Sequence, residues 1–152
     1  MFATVVTAQP LNGTAAYSAG DLVGTKMAFS GAARHSFGGA GLVKSVLVSD
    51  LAKQNAQALE LVLFDADPSG TTFTDGDALD VADGDLPKIV GVVPLGTADA
   101  VGYSDSAVYS VRNVNVAYSI ASRTLYGALV ARGTPTYAST ADLQVRLGVE
   151  TN

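Results

Sequence analysis

At 152 residues, with 9 basic and 14 acidic side chains and a net charge of −5, the chain has the length of one domain and no surplus of Lys or Arg for binding nucleic acid. It contains no Cys and no Trp and a single His, so disulfides and thiolate metal sites are excluded and the reactive groups of a catalyst are scarce. A hydrophobic fraction of 48% is too high for a disordered chain, and a domain of this length buries ~68–70% of the surface its unfolded form exposes.

In chain order, Met1 to Tyr17 begins with a β-branched stretch, Ala3 to Ala8, and continues as a loose segment containing Pro10 and Gly13. It lacks the basic start and long apolar core of a signal peptide. Residues 1–20 are expected to form an N-terminal arm or edge strand, and 21–152 a β-sandwich domain. Strands are expected over Asp21 to Phe29 and Leu42 to Ser49. Between them SGAARHSFGGAG, Ser30 to Gly41, reads as a flexible loop that holds His35.

DLAKQNAQA, Asp50 to Ala58, contains good helix formers behind an Asp that suits a cap, and predicts one or two helical turns. In ALELVLFD, Leu59, Leu61 and Leu63 share one face, while Val62 and Phe64 flank Glu60 on the other, so this strand is expected to be buried on both sides. DGDLPK, Asp83 to Lys88, predicts a single turn with Pro87 early in it.

Further strands are expected over Lys88 to Leu95, Val108 to Ile120 and Arg123 to Ala131. The last, in ADLQVRLGVE, is the clearest: Leu143, Val145, Leu147 and Val149 form a dry face, and Asp142, Gln144, Arg146 and Gly148 a wet one. No apolar run approaches the length of a membrane span. Seven to nine short strands in one domain predict an all-β sandwich, jelly-roll-like, with one or two short helical turns.

The chemical motifs are weak. The stretch Asp65 to Asp85 concentrates acid, and Asp65, Asp67, Ser69 and Gly70 match the opening of an EF-hand loop. Gly76 stands where the closing bidentate Glu belongs, a strand precedes the loop, and no helix follows. A different cation site from Asp75, Asp77 and Asp80 is the alternative; turn capping by Asp-Gly pairs is the favoured reading.

His35, between Arg34 and Ser36, has no G-x-S-x-G partner motif and reads as an ordinary loop histidine. Gly39 to Ser45 falls short of a phosphate loop because Val43 precedes Lys44. The tyrosines Tyr17, Tyr103, Tyr109, Tyr118, Tyr126 and Tyr137 suit either a carbohydrate or subunit surface, or a core with hydroxyls at its rim. No catalytic, cofactor-binding or metal-binding residue is assigned, and no cofactor, nucleic acid or membrane partner is expected.

Two long runs carry a family likeness: SVLVSDLAKQNAQALELVLFDADPSGTTFTDGDALDVADGDLPKIVGVV and TLYGALVARGTPTYASTADLQVRLGVE. Their most specific parts are the LVLF-Asp…Pro-Ser-Gly-Thr turn, the Asp-x-Asp-Leu-x-Lys-Ile-Val-Gly step and the Leu-Tyr-x-x-Leu-Val-x-x-Gly-x-Pro-Thr-Tyr run. Over Asp21 to Glu150 the chain resembles small tailed-bacteriophage virion structural proteins of the capsid decoration or cement type. The resemblance implies a noncatalytic all-β subunit on the capsid surface of the virion, made in the host cytoplasm. It implies the major capsid protein as partner and self-association as a homotrimer at a local threefold. It transfers no residue role. A tail or head–tail connector component and a carbohydrate-binding β-sandwich module are the alternatives, and an enzyme is ranked last. Within this reading the arm Met1 to Tyr17 is expected to lie across a neighbouring subunit.

Overall fold

The computed structural model describes residues 1–152. Nine strands follow one another: β1 (Phe2–Ala8), β2 (Leu22–Ser30), β3 (Gly39–Asp50), β4 (Leu59–Phe64), β5 (Ile89–Leu95), β6 (Ala100–Gly102), β7 (Ala107–Ile120), β8 (Thr124–Ala131) and β9 (Leu143–Thr151). Two single 3-10 turns, Leu86–Lys88 and Thr97–Asp99, are the only helical structure. The first contains Pro87, as its sequence predicts.

The strands form two antiparallel sheets, ordered β1-β9-β3-β7-β6 and β2-β8-β4-β5. The pairings are nested. β1 pairs with β9, β2 with β8, β3 with β7 and β4 with β5. The chain is thus doubled on itself with β4–β5 as the closed end. Rolling that doubled ribbon brings β9 onto β3 and β8 onto β4. This is the jelly roll, with the three-residue β6 added at one edge.

Period-two alternation explains the assembly. Val46, Val48, Val145, Leu147 and Val149 face inward from the first sheet, and Phe29, Leu61, Leu63, Leu125 and Leu129 from the second. Each is essentially fully buried, and together they form one core between the sheets.

A second, smaller core lies outside the four-stranded sheet. Its members are Leu22, Val62, Phe64, Ala128 and Val130, and it is roofed by Phe73, Leu79, Val81 and Ile89. β4 is therefore buried on both faces, as the placement of Val62 and Phe64 predicts.

Two expectations are corrected. Asp50 to Ala58 forms no helix. Asp50 ends β3, and its carboxylate accepts from the N–H groups of Ala52 (2.8 Å) and Gln54 (2.6 Å), while Lys53 takes a left-handed φ of 54°. A side-chain cap on a non-helical turn has outcompeted helix propensity. Asp142 does not lie on a wet strand face. It precedes β9, is buried, and accepts from the N–H groups of Ala138 and Ser139.

Of the two readings of the N-terminal segment, arm or edge strand, β1 takes the second. β1 is stitched to β9 through seven register pairs. Asn12 and Tyr17 are buried, and the Pro10 carbonyl accepts from the Thr25 N–H at 2.7 Å. That carbonyl abuts Gly24 so closely that a Cβ there would sit 2.0 Å from it, at a φ of +81° that only glycine takes without strain.

Candidate functional site

The acidic loop between β4 and β5 is a structural clamp. Asp75 accepts from the Tyr17 hydroxyl and from the Gly24 N–H (2.6 Å), tying the loop to the N-terminal segment and to the irregular stretch of β2. Asp85 is buried and accepts from the Thr71 hydroxyl (2.7 Å) and the Lys88 ammonium (2.7 Å). The Lys88 bond, then the Thr71 bond, hold its carboxyl below the usual carboxylate range. Asp67 pairs with Lys26.

The Asp77 backbone bonds Leu22 and Thr74. Asp77 and Asp80 line a shallow recess of about 300 Å³ with Leu22, Thr72, Thr74 and Leu79. No three acidic or His side chains converge on one point anywhere in the chain. In the EF-hand-like opening Asp65, Asp67, Ser69 and Gly70, the Asp65 N–H bonds the Lys88 carbonyl, and the Ser69 N–H bonds that of Asp67.

The tyrosines divide. Tyr17, Tyr109, Tyr118 and Tyr137 are buried, Tyr126 is half-buried, and Tyr103 is 58% exposed. Burial pushes the hydroxyls of all four buried rings above the ordinary phenol range; at Tyr17 the bond to Asp75 adds to this, and at Tyr109 the nearby Asp50 does. The Tyr109 hydroxyl donates to the loop carbonyls of Gln54 and Gln57. These rings are core: the Tyr118 hydroxyl donates to the Ala32 carbonyl in the interior, the Tyr137 hydroxyl is buried without a hydrogen-bond partner, and none of the four rings is open to a sugar. His35 is exposed in its loop, stacked on Phe37 with centroids 5.1 Å apart.

What the protein presents outward is the bare face of the five-stranded sheet. Adjacent residues there run in rows across β1, β9, β3 and β7: Ala3–Glu150–Leu42–Ala117, then Val5–Gly148–Ser45–Arg112, then Thr7–Arg146–Leu47–Ser110. Small and apolar residues alternate with Arg112, Arg146 and Lys44, and Glu150 is the one acid among them, so this face is basic on an acidic protein.

Two shallow depressions of about 270 and 210 Å³ meet at Val5 and Gly148. Gly148 makes the dent: a Cβ there would lie 2.4 Å from the Ser45 hydroxyl oxygen. Val5 is 64% exposed. Sequence reasoning placed Arg146 and Gly148 on a wet face but did not assemble the surface, because Lys44, Ser45 and Val5 join it only through strand pairing.

The sheet edges differ sharply. β6 is three residues long. β5 carries Pro94 and packs at Gly91 against Val116 of β7. β2 is irregular between Val23 and Met27, carries Lys26, and meets the Pro10 carbonyl. β1 has none of these devices. Its sequence FATVVTA has no charge and no proline, its register is unbroken, and its backbone bonds only β9.

No family model and no curated protein matches the chain. Among solved structures, it is similar over 99% of its length to a chain of tomato aspermy virus, with 9% identity, a TM-score of 0.42 and 76% of that chain covered. It is similar over 99% to a chain of Desmodium yellow mottle tymovirus, with 13% identity, a TM-score of 0.32 and 79% covered. It is also similar over its full length to a chain of Triatoma virus, with 13% identity, a TM-score of 0.23 and 62% covered. At TM-scores below 0.5 these likenesses carry no functional weight, and the jelly roll rests on the strand order of this molecule.

Proposed function

We propose that this chain is a noncatalytic virion structural protein of a tailed bacteriophage, a decoration or cement subunit that stabilises a shell of capsid protein by burying interface. The observation that carries this reading is the uncovered outer face of the five-stranded sheet. It is broad, built from small and apolar residues with a few cations, and rigidly backed by the core. A surface of that kind suits broad contact with another protein. A specific interface buries ~1,200–2,000 Å² in total, and repetition over a lattice multiplies a modest contact into a large stabilisation. Beneath it, the buried carboxylates of Asp50, Asp85 and Asp142 and the hydroxyls of Thr71 and Tyr109 are engaged in capping and cross-linking turns. The partner in this reading is the major capsid protein, and the place is the outer surface of the virion. Self-association as a homotrimer belongs to it as well.

The test is co-sedimentation of the purified chain with empty shells assembled from the major capsid protein of the same phage. Bound chain at a fixed ratio to capsid subunits, on shells that withstand a higher temperature, is the expected result. Chain left in the supernatant overturns the reading. Sedimentation with tails or connectors instead moves the protein elsewhere in the virion.

A further inference from the structure

We propose that the free edge of β1 pairs with β1 of a second copy, antiparallel about a two-fold at Val5, joining two five-stranded sheets into one continuous sheet. Of the sheet edges, this is the one without a protective device; the length of β7 beyond β6, Ser110–Ile120, carries Arg112 and is kinked by the left-handed Asn113 and Asn115. Every second residue of an edge strand turns its N–H and C=O away from its neighbour, and unpaired groups of this kind form a ready template for another strand. On β1 those groups meet no other segment of the chain. The strand is seven residues long, and its exposed residues Phe2, Ala3, Thr4, Val5 and Thr7 are aromatic, small or β-branched, so they suit a sheet interior.

Self-complementarity points to a second copy as the occupant. A two-fold at Val5 sets Val5 against itself, Thr4 against Val6, Ala3 against Thr7 and Phe2 against Ala8. No charge opposes a like charge, because β1 has none. The flanking strand then supplies opposite charges.

Thr7 pairs with Arg146, and Ala3 pairs with Glu150. Across the two-fold the row Arg146–Thr7 runs on into Ala3–Glu150 of the other copy. The two charged residues lie three strand spacings apart, roughly 14 Å between Cα atoms. Both are on the outer face, and only Thr7 and Ala3 stand between them. The long Arg146 side chain and Glu150 lean toward each other over these short residues, with their charged ends inside the ~8 Å screening length of physiological salt. The two-fold repeats the contact, so two ion pairs bracket the joint. This contact is isologous and closed, and it does not depend on binding to a shell or on the threefold implied by the family likeness.

One strand pair with its flanking dents sits at the low end of specific interfaces, so the dimer is expected to dissociate in the micromolar range. The test is sedimentation equilibrium of the full chain across that range, on wild type and four variants. Val5→Asp places two carboxylates against each other at the two-fold and is expected to weaken the dimer by about tenfold or more, as is Val5→Lys. Mixing the Asp and Lys variants restores dimers as a heteropair. Arg146→Glu weakens association, and Arg146→Glu combined with Glu150→Arg restores it. A wild-type chain that stays monomeric throughout overturns the proposal. So does a dimer or trimer whose mass is unmoved by Val5→Asp, since it uses another surface. Shell binding by an undimerised variant leaves the capsid reading standing, which separates the two outcomes.

Discussion

The outer faces of the two sheets start from the same alternating pattern and end in opposite conditions. On the four-stranded sheet the outward residues Leu22, Val62, Phe64 and Val130 are as buried as the central core, because the loop after β4 folds back and lays Phe73, Leu79 and Val81 over them. On the five-stranded sheet the outward residues are smaller, nothing covers them, and Val5 stands 64% exposed. The chain uses its longest loop to cover most of one face, with Val92 on its β5 edge left 48% exposed, and leaves the other open. The difference separates structure from association: the covered face adds stability to the monomer, and the bare one is free for partners.

The strongest way to break this comparison is Phe64→Ala. Phe64 is fully buried beneath the loop. Truncating such a side chain costs ~3–5 kcal/mol, which in a domain of this size lowers Tm by roughly 10 °C. Thermal denaturation followed by circular dichroism reads it. A shift near zero would mean that the roof is loose and that both faces are effectively open.

Next in size is the clamp that holds the roof down. Asp75→Ala removes the acceptor for the Gly24 N–H and for the buried Tyr17 hydroxyl. Because Asp75 itself is exposed, water partly replaces it, and the expected cost is about 1–2 kcal/mol, read from the urea midpoint. Tyr17→Phe in the same background should then add only the loss of the bond that the Tyr17 hydroxyl accepts from the Gly13 N–H, less than Tyr17→Phe costs in wild type. Full additivity of the two changes would show that the bond does not couple loop and N-terminal segment.

The sequence made the strands legible and left the covers obscure, for a physical reason. Period two is local, so Leu143, Val145, Leu147 and Val149 declare a sheet face without any knowledge of their neighbours. Val62 and Phe64 likewise declared that β4 has two buried faces. What covers the second face is non-local: Phe73, Leu79 and Val81 are spread through an acidic, turn-rich stretch with no period to mark them. β6 was invisible because three residues carry no periodicity.

The failed helix at Asp50 to Ala58 has the same origin. Gln54 and Gln57 are good helix formers, but their side-chain oxygens accept from the N–H groups of Thr136 and Thr134, far along the chain. The open face was half legible. Arg146 and Gly148 read as outward, yet the row they share with Val5, Ser45 and Arg112 exists only through pairing.

A smaller effect is confined to acid. The Asp85 carboxyl is held below its ordinary range by Lys88 and Thr71, so the folded state binds this proton less readily than the unfolded one. Its contribution is present in full above the ordinary carboxylate range and is lost as pH falls through the lowered folded value. Wild type should therefore lose stability on acidification more steeply than Asp85→Asn, with the curves diverging toward neutral pH. Hydrogen exchange should show the segment around Thr71 and Ala82 opening first, since the Thr71 hydroxyl oxygen also accepts from the Ala82 N–H. Parallel acid curves for the two proteins would remove Asp85 from the clamp.

The smallest expected change sharpens the comparison from the other side. Val5→Ser alters an outward residue of the bare face, at the meeting point of its two dents. Val5 is mostly solvent-exposed in the monomer, so little transfer free energy is at stake, and a surface change of this kind stays within about 0.5 kcal/mol. Denaturation at a concentration low enough to keep the chain monomeric measures that term alone. If the loss instead approached that of Phe64→Ala, some part of the chain would have to fold over the five-stranded sheet. The surface offered to a capsid, or to a second copy, would then be occupied before either arrived.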